Sequence, residues 1–204
     1  MGFQISNYNQ LIIQQRKELV ELFGFETRNK YEICDDNKNI IGFCAEQNKG
    51  IIGFLMRQFL GHWRSFEIHF FDANKIEFMK TIHPFRFLFQ EFTILDSQNN
   101  KIGRLQQRFG IFTKKFDVLD ASDNLIFKMR SGFFSFWTFP IDSVDGSEKA
   151  VIKKKWSGLL KELFLDADNF LVDYKDYAMN ENHKKIILAA SVFVDLQYFE
   201  RKGQ

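Results

Sequence analysis

The chain has 204 residues, of which 45% are hydrophobic and 26% are charged, with a formal net charge of +2. So small a net charge does not favour nucleic-acid binding, and the sequence contains no apolar run of the roughly 18 residues that an ordinary transmembrane helix needs. No basic stretch followed by an apolar run opens the chain, so we expect no secretory signal. A chain of this length fits one all-β domain, and its 26 Phe with only 2 Pro favour an unusually aromatic core.

The first 24 residues favour a short helix. Leu11, Ile12, Gln15, Leu19 and Leu22 recur at helical spacing, and Gly24 follows them as a stop signal. We therefore predict a helical lead-in over residues 1–24, ahead of a single domain over residues 25–204.

A degenerate unit then repeats along the chain. It consists of an aromatic residue, any residue and an aliphatic residue, then a turn rich in Asp and Asn, then an aliphatic strand. The five copies run through residues 31–43, 66–78, 92–105, 116–127 and 139–152. Asp and Asn suit such turns because they tolerate left-handed backbone angles. With further strands around 159–164 and 170–174, the pattern predicts ten to twelve antiparallel strands, which avoid exposed edges by closing into a barrel.

The last part of the sequence predicts the contents of that barrel. Residues 186–199 are apolar except for a single charge, Asp195. A helix that is apolar on every face must be surrounded, and about 21 Å of helix is too short for a bilayer but suits a barrel axis. We predict a buried central helix over about 183–200. Asp195 then needs a buried Lys, Arg or Tyr from the wall, and a proton or ion relay is the other interpretation.

The sequence gives little support to catalysis or to zinc binding. It has no nucleophile elbow, phosphate loop or redox motif, so we do not expect an enzyme. The four His residues lack ligand spacing. In the first hairpin, Cys34 faces residues 40–41 and not Cys44, which predicts two buried free thiols.

The tail and the first strand resemble a known family. The segments that carry the resemblance are Lys154-Lys155-Trp156-Ser157-Gly158, Lys161-Glu162, Asp166-Ala167-Asp168-Asn169-Phe170, residues 186–200, and residues 25–33, which contain the first strand and its lead-in. Together they resemble the phospholipid scramblase family, which is related to the tubby C-terminal domain. The resemblance implies a twelve-stranded barrel around a central C-terminal helix, and passive, calcium-activated movement of phospholipids between bilayer leaflets.

The resemblance also implies a calcium loop that begins at Asp166 and Asp168. Calcium loops usually carry carboxylates at positions 1, 3 and 12 and Gly at position 6. Here position 6 is Leu171 and position 12 is Tyr177, while Asp173 and Asp176 lie nearby but off register. The loop is therefore either a weak Ca²⁺ site built from these four aspartates or an Asx-type turn with solvated carboxylates.

Three stretches have a composition suited to a membrane surface. Residues 50–64 combine apolar side chains with Arg57, Trp63 and Arg64, and residues 133–137 form an aromatic run. A basic stretch, expected to attract anionic lipid headgroups, contains Lys149, Lys153, Lys154, Lys155 and Lys161. The alternative for residues 50–64 is a short helix packed on the barrel end. For residues 133–137 it is a buried core strand, and for the basic stretch it is a solvated strand face.

Three classes of function follow. The first is passive movement of phospholipids across the bilayer, and the second is a peripheral module that binds phospholipid or phosphoinositide headgroups without moving them. The third is a soluble barrel that binds an acyl chain or a protein. Since residues 83–89 contain no Cys, acylation is not expected there. We expect a cytoplasmic protein that associates peripherally with anionic membranes and binds no nucleic acid.

Overall fold

The computed structural model describes residues 3–16, 27–47, 65–86, 88–110, 113–131, 137–155 and 169–198. This part of the chain contains twelve strands, one α-helix and a short 3₁₀ turn over Ile5–Asn7. The elements are β1 Gln10–Gln15, β2 Thr27–Cys34, β3 Ile40–Gln47, β4 Phe66–Asp72, β5 Glu77–His83, β6 Glu91–Asp96, β7 Lys101–Arg108, β8 Lys115–Asp120, β9 Leu125–Arg130, β10 Thr138–Ser143, β11 Glu148–Lys155, β12 Asn169–Tyr174 and helix α1 Glu181–Tyr198.

The strands form one closed antiparallel barrel. Each strand from β2 to β11 pairs with the strand that follows it in sequence. Strand β1 pairs with both β2 and β12, which closes the sheet. Closure gives both edges of the sheet a hydrogen-bonded partner. The architecture predicted from the repeat and implied by the resemblance is therefore confirmed.

Five hairpin turns lie at one end of the barrel, and their local chemistry is that of the predicted repeat. In the β6–β7 turn, Asp96 Oδ1 accepts hydrogen bonds from the backbone nitrogens of Gln98 (2.9 Å) and Asn100 (2.8 Å). Asn99 between them is left-handed, with φ 67°. Four of the turns have a left-handed side chain at the same position, namely Lys38, Lys75, Asn99 and Asp123. The aspartate side chains thus accept hydrogen bonds from backbone N–H groups within the turns.

The predicted N-terminal helix is wrong where the structure describes it. Residues Gln10–Gln15 form β1, in which Ile13 lies opposite Phe170 of β12 and Ile33 of β2. Leu11, Ile12 and Ile13 are all buried, because β1 packs on the core with one face and against Cys34 with the other. An apolar run of this kind fits either a helix or a doubly covered strand, and closing the sheet selects the strand. Leu19, Leu22 and the strand expected around 159–164 lie outside the described residues.

Helix α1 occupies the barrel axis. Ile186, Ile187, Leu188 and Ala189 are fully buried, as are Val192, Phe193 and Val194 one to two turns further on. The predicted buried central helix is confirmed, with a start at Glu181 that is two residues earlier than expected. Within the described ranges, the structure has no helix with both the length and the apolar character needed to cross a bilayer.

The N-terminal segment covers the end of the barrel that carries the hairpin turns. The backbone nitrogens of Ile5 and Ser6 donate to the two carboxylate oxygens of Glu181, at 3.0 and 2.8 Å. One turn along α1, the buried Lys184 Nζ donates to the carbonyl oxygens of Ser6 (3.0 Å) and Tyr8 (2.6 Å). The first turn of the helix therefore holds the 3₁₀ turn in place. Ile5, the first residue of that 3₁₀ turn, is fully buried.

The fit between helix and wall makes a prediction at Gly103 of β7. A Cβ atom there would lie 2.6 Å from the carbonyl oxygen of Leu119 and closer still to the side chain of Ile186. We expect Gly103→Ala to lower the free energy of unfolding by about 1–3 kcal/mol, because the extra methyl forces helix and wall apart. Urea unfolding measures this, with the exposed Ala121→Ser as control. Equal stabilities of the two variants would contradict the close approach of helix and wall.

Candidate functional site

The two ends of the barrel differ in chemistry. We call the end with the five hairpin turns, the N-terminal 3₁₀ turn and the start of α1 the turn end. The five turns contain no aromatic residue, and their charged residues are Asp35, Asp36, Lys38, Asp72, Lys75, Asp96, Asp120, Asp123 and Asp145. The turn end is therefore acidic.

We call the opposite end, where α1 ends, the connection end. Here the strands are joined through residues 16–26, 48–65, 84–90, 109–114, 131–137 and 156–168. The four connections from β3 to β10 contain no Asp or Glu, many Phe residues, and the cations Lys49, Arg57, Arg64, Arg86 and Lys114. The first and last connections contain charges of both signs. One arc of this end is therefore basic and aromatic in sequence.

Strand β11 divides the predicted basic stretch between three environments. Ala150, Ile152 and Lys154 alternate toward the interior, whereas Lys153 lies half-buried on the outer face beside the connection end. The prediction that Lys154 meets lipid headgroups is wrong, because the strand period of two turns its side chain into the core. Lys149 lies four residues before Lys153, which places it about 13 Å along the strand toward the turn end. Its Nζ pairs there with Asp176 Oδ2 at 3.0 Å, so it does not belong to a headgroup site at the connection end.

Inside the barrel, Lys154 and Tyr31 meet the charge of the central helix. Lys154 Nζ lies 3.5 Å from Asp195 Oδ1, and the Tyr31 hydroxyl donates to Asp195 Oδ2 at 2.8 Å. Lys154 Nζ also lies 5.0 Å from the ring centroid of Phe170. The prediction that Asp195 bonds a buried Lys, Arg or Tyr is confirmed, with both a Lys and a Tyr. Such a pair is tolerated in the core only because each charge has a close partner.

Both cysteines are buried free thiols, as predicted. Cys34 lies opposite Ile40 and Cys44 lies opposite Tyr31, so the register keeps them apart. Burial raises the pKa of the Cys34 thiol to about 11. Burial and, after it, the charge of Asp195 raise the pKa of Cys44 well above its usual value. Neither thiol is a ready nucleophile at neutral pH.

The aspartates predicted for calcium are only partly described. Asp173 accepts from Gln10 Nε2 at 3.3 Å and pairs with Lys175, and Asp176 pairs with Lys149. In the described part of the chain, no group of three or more His, Cys, Asp or Glu side chains is placed to hold a metal ion. The calcium site stays a prediction that rests on Asp166 and Asp168, which lie outside the described residues.

Several other predicted membrane contacts also lie outside the described residues. They are Arg57, Trp63, Arg64, Lys161, residues 133–136 and the side chain of Lys155. The structure does show where two of these stretches connect to the barrel. Strands β3 and β9 end at the connection end, and strands β4 and β10 begin there. The predicted stretches 50–64 and 133–137 therefore join strands at the same end of the barrel as Lys153.

Sequence reasoning missed one feature of this end. Phe85, Leu88, Phe89 and Phe109 are large apolar side chains that remain 48–73% exposed. The signal was present as an aromatic cluster in residues 83–89, but exposure cannot be read from composition. We call these four residues the apolar tip.

The buried ion pair makes a prediction about stability. We expect Lys154→Met to lower the free energy of unfolding by about 3–5 kcal/mol, because Asp195 would lose its buried cation. Lys154→Met combined with Asp195→Leu should recover most of that loss. Lys149→Met, which breaks the partly exposed pair with Asp176, should cost less than about 1 kcal/mol. Urea unfolding of the four proteins tests this, and a double variant no more stable than Lys154→Met alone would refute the pairing argument.

Comparison with known proteins places the chain in a family. The scramblase family model matches residues 3–201. The chain is 30% identical to human phospholipid scramblase 1 over 218 residues, covering 98% of this chain and 65% of that protein. It is 28% identical to mouse phospholipid scramblase 1, over 98% of this chain and 63% of that protein. It is 26% identical to the yeast (Saccharomyces cerevisiae) altered inheritance rate of mitochondria protein 25, over 98% of this chain and 73% of that protein.

The chain spans about two thirds of the length of these relatives. A solved structure of an Arabidopsis thaliana protein aligns with 94% of this chain and 93% of its own at 11% identity and a TM-score of 0.47, and the fold described above does not depend on it. The family model covers nearly the whole chain, including all twelve strands of the barrel and the central helix. This chain belongs to the scramblase family.

Proposed function

We propose that the protein binds anionic phospholipid membranes through the connection end of its barrel. The observation that supports this most is the contrast between the two ends. Acidic turns occupy one end. The other end has four aromatic connections without a carboxylate, three of which contain cations, beside two connections with charges of both signs. Family membership supports a phospholipid membrane as the partner.

Electrostatics fixes the orientation in this proposal. A lysine or arginine near an anionic bilayer contributes roughly 1 kcal/mol, and the attraction falls off within about one Debye length. Since the axial helix alone is about 27 Å long, the turn end is too far away to share that attraction. The barrel therefore meets the membrane with its connection end first, and its acidic turns point away.

Reversal of two charges on β11 tests the docking end. We expect Lys153→Glu with Lys155→Glu to weaken binding to phosphatidylserine-containing vesicles about tenfold or more, because two attractive charges become repulsive. Vesicle flotation at low and high salt measures the binding. Lys154 is left unchanged, since its ion pair with Asp195 stabilises the fold.

The matched control reverses two charges at the turn end. Lys38→Asp with Lys75→Asp changes the net charge by the same amount, and Asp suits these left-handed positions, as Asp123 shows in the β8–β9 turn. We expect this variant to float like the parent protein. Equal losses in both variants would argue for a nonspecific charge effect. Equal flotation of the parent protein with vesicles that lack phosphatidylserine would contradict the proposal.

A second candidate function is passive movement of phospholipids between the leaflets. Family membership and the names of the human and mouse relatives favour it. Headgroups need a polar path through the hydrocarbon, which a docked barrel supplies only by perturbing the bilayer or by assembling within it. We propose Asp166 and Asp168 as a weak calcium-binding pair that regulates this step.

Proteoliposomes with a fluorescent headgroup lipid test the second candidate. If lipids cross, dithionite added outside should bleach the inner-leaflet label, faster with calcium present. Asp166→Asn with Asp168→Asn should remove the calcium effect, because two anionic ligands are lost. The control is Asp173→Asn, whose carboxylate is already engaged by Gln10 and Lys175. A label that stays protected with calcium present would eliminate scrambling and leave membrane binding standing.

A further inference from the structure

The apolar tip is an exposed cluster on two neighbouring connections. Phe85, Leu88 and Phe89 belong to the β5–β6 connection and are 49%, 68% and 48% exposed, and Phe109 follows β7 and is 73% exposed. The other large exposed apolar residues of the described chain lie at the turn end, each in a different part of the sequence: Ile40 at the start of β3, Ile76 before β5, Val144 in the β10–β11 turn, and Tyr177 between β12 and α1. Among the residues that the structure describes, three such side chains on a single connection occur only at the connection end.

Hydrogen bonds hold the two connections side by side. Strands β6 and β7 pair Glu91 with Gln106, and the pairing continues beyond the ladder where Gln107 N donates to the carbonyl oxygen of Gln90 at 2.8 Å. Phe89 comes directly before Gln90, and Phe109 comes two residues after Gln107. Phe89 and Phe109 thus lie just beyond this hydrogen bond, and Phe85 and Leu88 belong to the same connection as Phe89.

The backbone conformation of Phe89 costs folding free energy. Phe89 is left-handed, with φ 53°, although it is a bulky residue and lies outside the hairpin turns where the other left-handed side chains of the described chain occur. Its ring is also half exposed, so burial does not offset the strain. Strain kept where it gains no burial is the kind of outlier from which function is inferred.

A buried glutamine holds the strained segment in place. Gln90 is 3% exposed, and its side-chain nitrogen donates to the carbonyl oxygen of Arg86 at 3.2 Å. Its backbone nitrogen donates to Gln107 Oε1 at 3.1 Å. Phe89 is therefore held next to a residue fixed by two hydrogen bonds, which lowers the entropy cost of binding.

Two half-exposed arginines flank the tip. Arg86 Nη2 pairs with Glu91 at 3.1 Å, and Arg108 Nε pairs with Asp117 at 2.7 Å, so each guanidinium is fixed by one carboxylate while part of it faces solvent. A guanidinium has five N–H donors, which leaves donors for phosphate oxygens. Apolar side chains beyond a base of cations match a bilayer surface, in which phosphates lie outside and hydrocarbon lies inside.

We propose that the apolar tip inserts into the headgroup–acyl boundary of the membrane, while Arg86 and Arg108 contact lipid phosphates. This inference rests on the function proposed above and identifies its hydrophobic anchor. The occupant is a lipid bilayer, because four exposed apolar side chains on two neighbouring connections lie close in sequence to two half-exposed arginines. A pocket for a single peptide would instead need a concave apolar lining.

Polar substitution at both connections tests the anchor. Leu88→Ser with Phe109→Ser should weaken partition into phosphatidylserine-containing vesicles about tenfold or more, because two apolar side chains no longer leave water. The matched control is Ile40→Ser with Ile76→Ser, two exposed apolar residues of the turn end, which should partition like the parent protein. All four positions are exposed, so folding should be preserved, and circular dichroism checks this.

Site-specific labelling gives a direct readout. A polarity-sensitive fluorophore on Leu88→Cys should shift to the blue with vesicles and be quenched by nitroxide-bearing acyl chains. The same label on Ile76→Cys should do neither. Cys34 and Cys44 do not compete for the label, because both are buried with raised pKa values.

The outcomes separate this inference from the proposed function. If the parent protein and the Leu88/Phe109 variant partition equally while Lys153→Glu with Lys155→Glu is impaired, the docking end stands and the anchor is refuted. If the parent protein binds no vesicle, the proposed function itself fails. If the parent sediments as a dimer and the Leu88/Phe109 variant as a monomer with unchanged partition, the tip is a contact between copies and the inference is overturned.

Discussion

Burial of an all-round apolar helix is the constraint on which this structure depends. Residues 186–190 and 192–194 of α1 have essentially no contact with water, so the chain must supply a wall on every side. Twelve strands supply it only if the first and last strands meet, which makes β1 indispensable. The wall lies so close that Gly103 has no room for a methyl group beside Ile186. Helix and barrel thus determine each other's dimensions.

The same burial leaves little room for function inside the described barrel. The charged pair that reaches the axis, Asp195 with Lys154, is neutralised within the core and joined by Tyr31. At the turn end, Glu181 and Lys184 use their polar atoms on the backbone of the N-terminal segment. Recognition of another molecule therefore falls to the outer surface, where the contrast between the two ends is greatest.

Much of this fold could be read from the sequence, because its signals are local. An Asp or Asn turn between two alternating strands predicts a hairpin wherever it occurs, and all five were found. β1 was missed because Leu11, Ile12 and Ile13 satisfy both a helical face and a doubly covered strand, and only barrel closure decides between them. The inward turn of Lys154 could have been predicted, since it shares its face with Ala150 and Ile152 and Asp195 needed a cation. Exposure of Phe89 and Phe109 could not, because it depends on how far each connection projects.

The contrast between the ends follows from the fold itself. Tight hairpin turns need Asp or Asn to bond their own backbone, so every hairpin adds acidic side chains to one end. The longer connections are free of that requirement and can hold cations and aromatic residues instead. In an up-and-down barrel with an axial helix, an electrostatic polarity arises from turn chemistry alone. In the membrane-binding function proposed above, an anionic membrane attracts the opposite end, and the residues that make the hairpins then also set the orientation of the barrel.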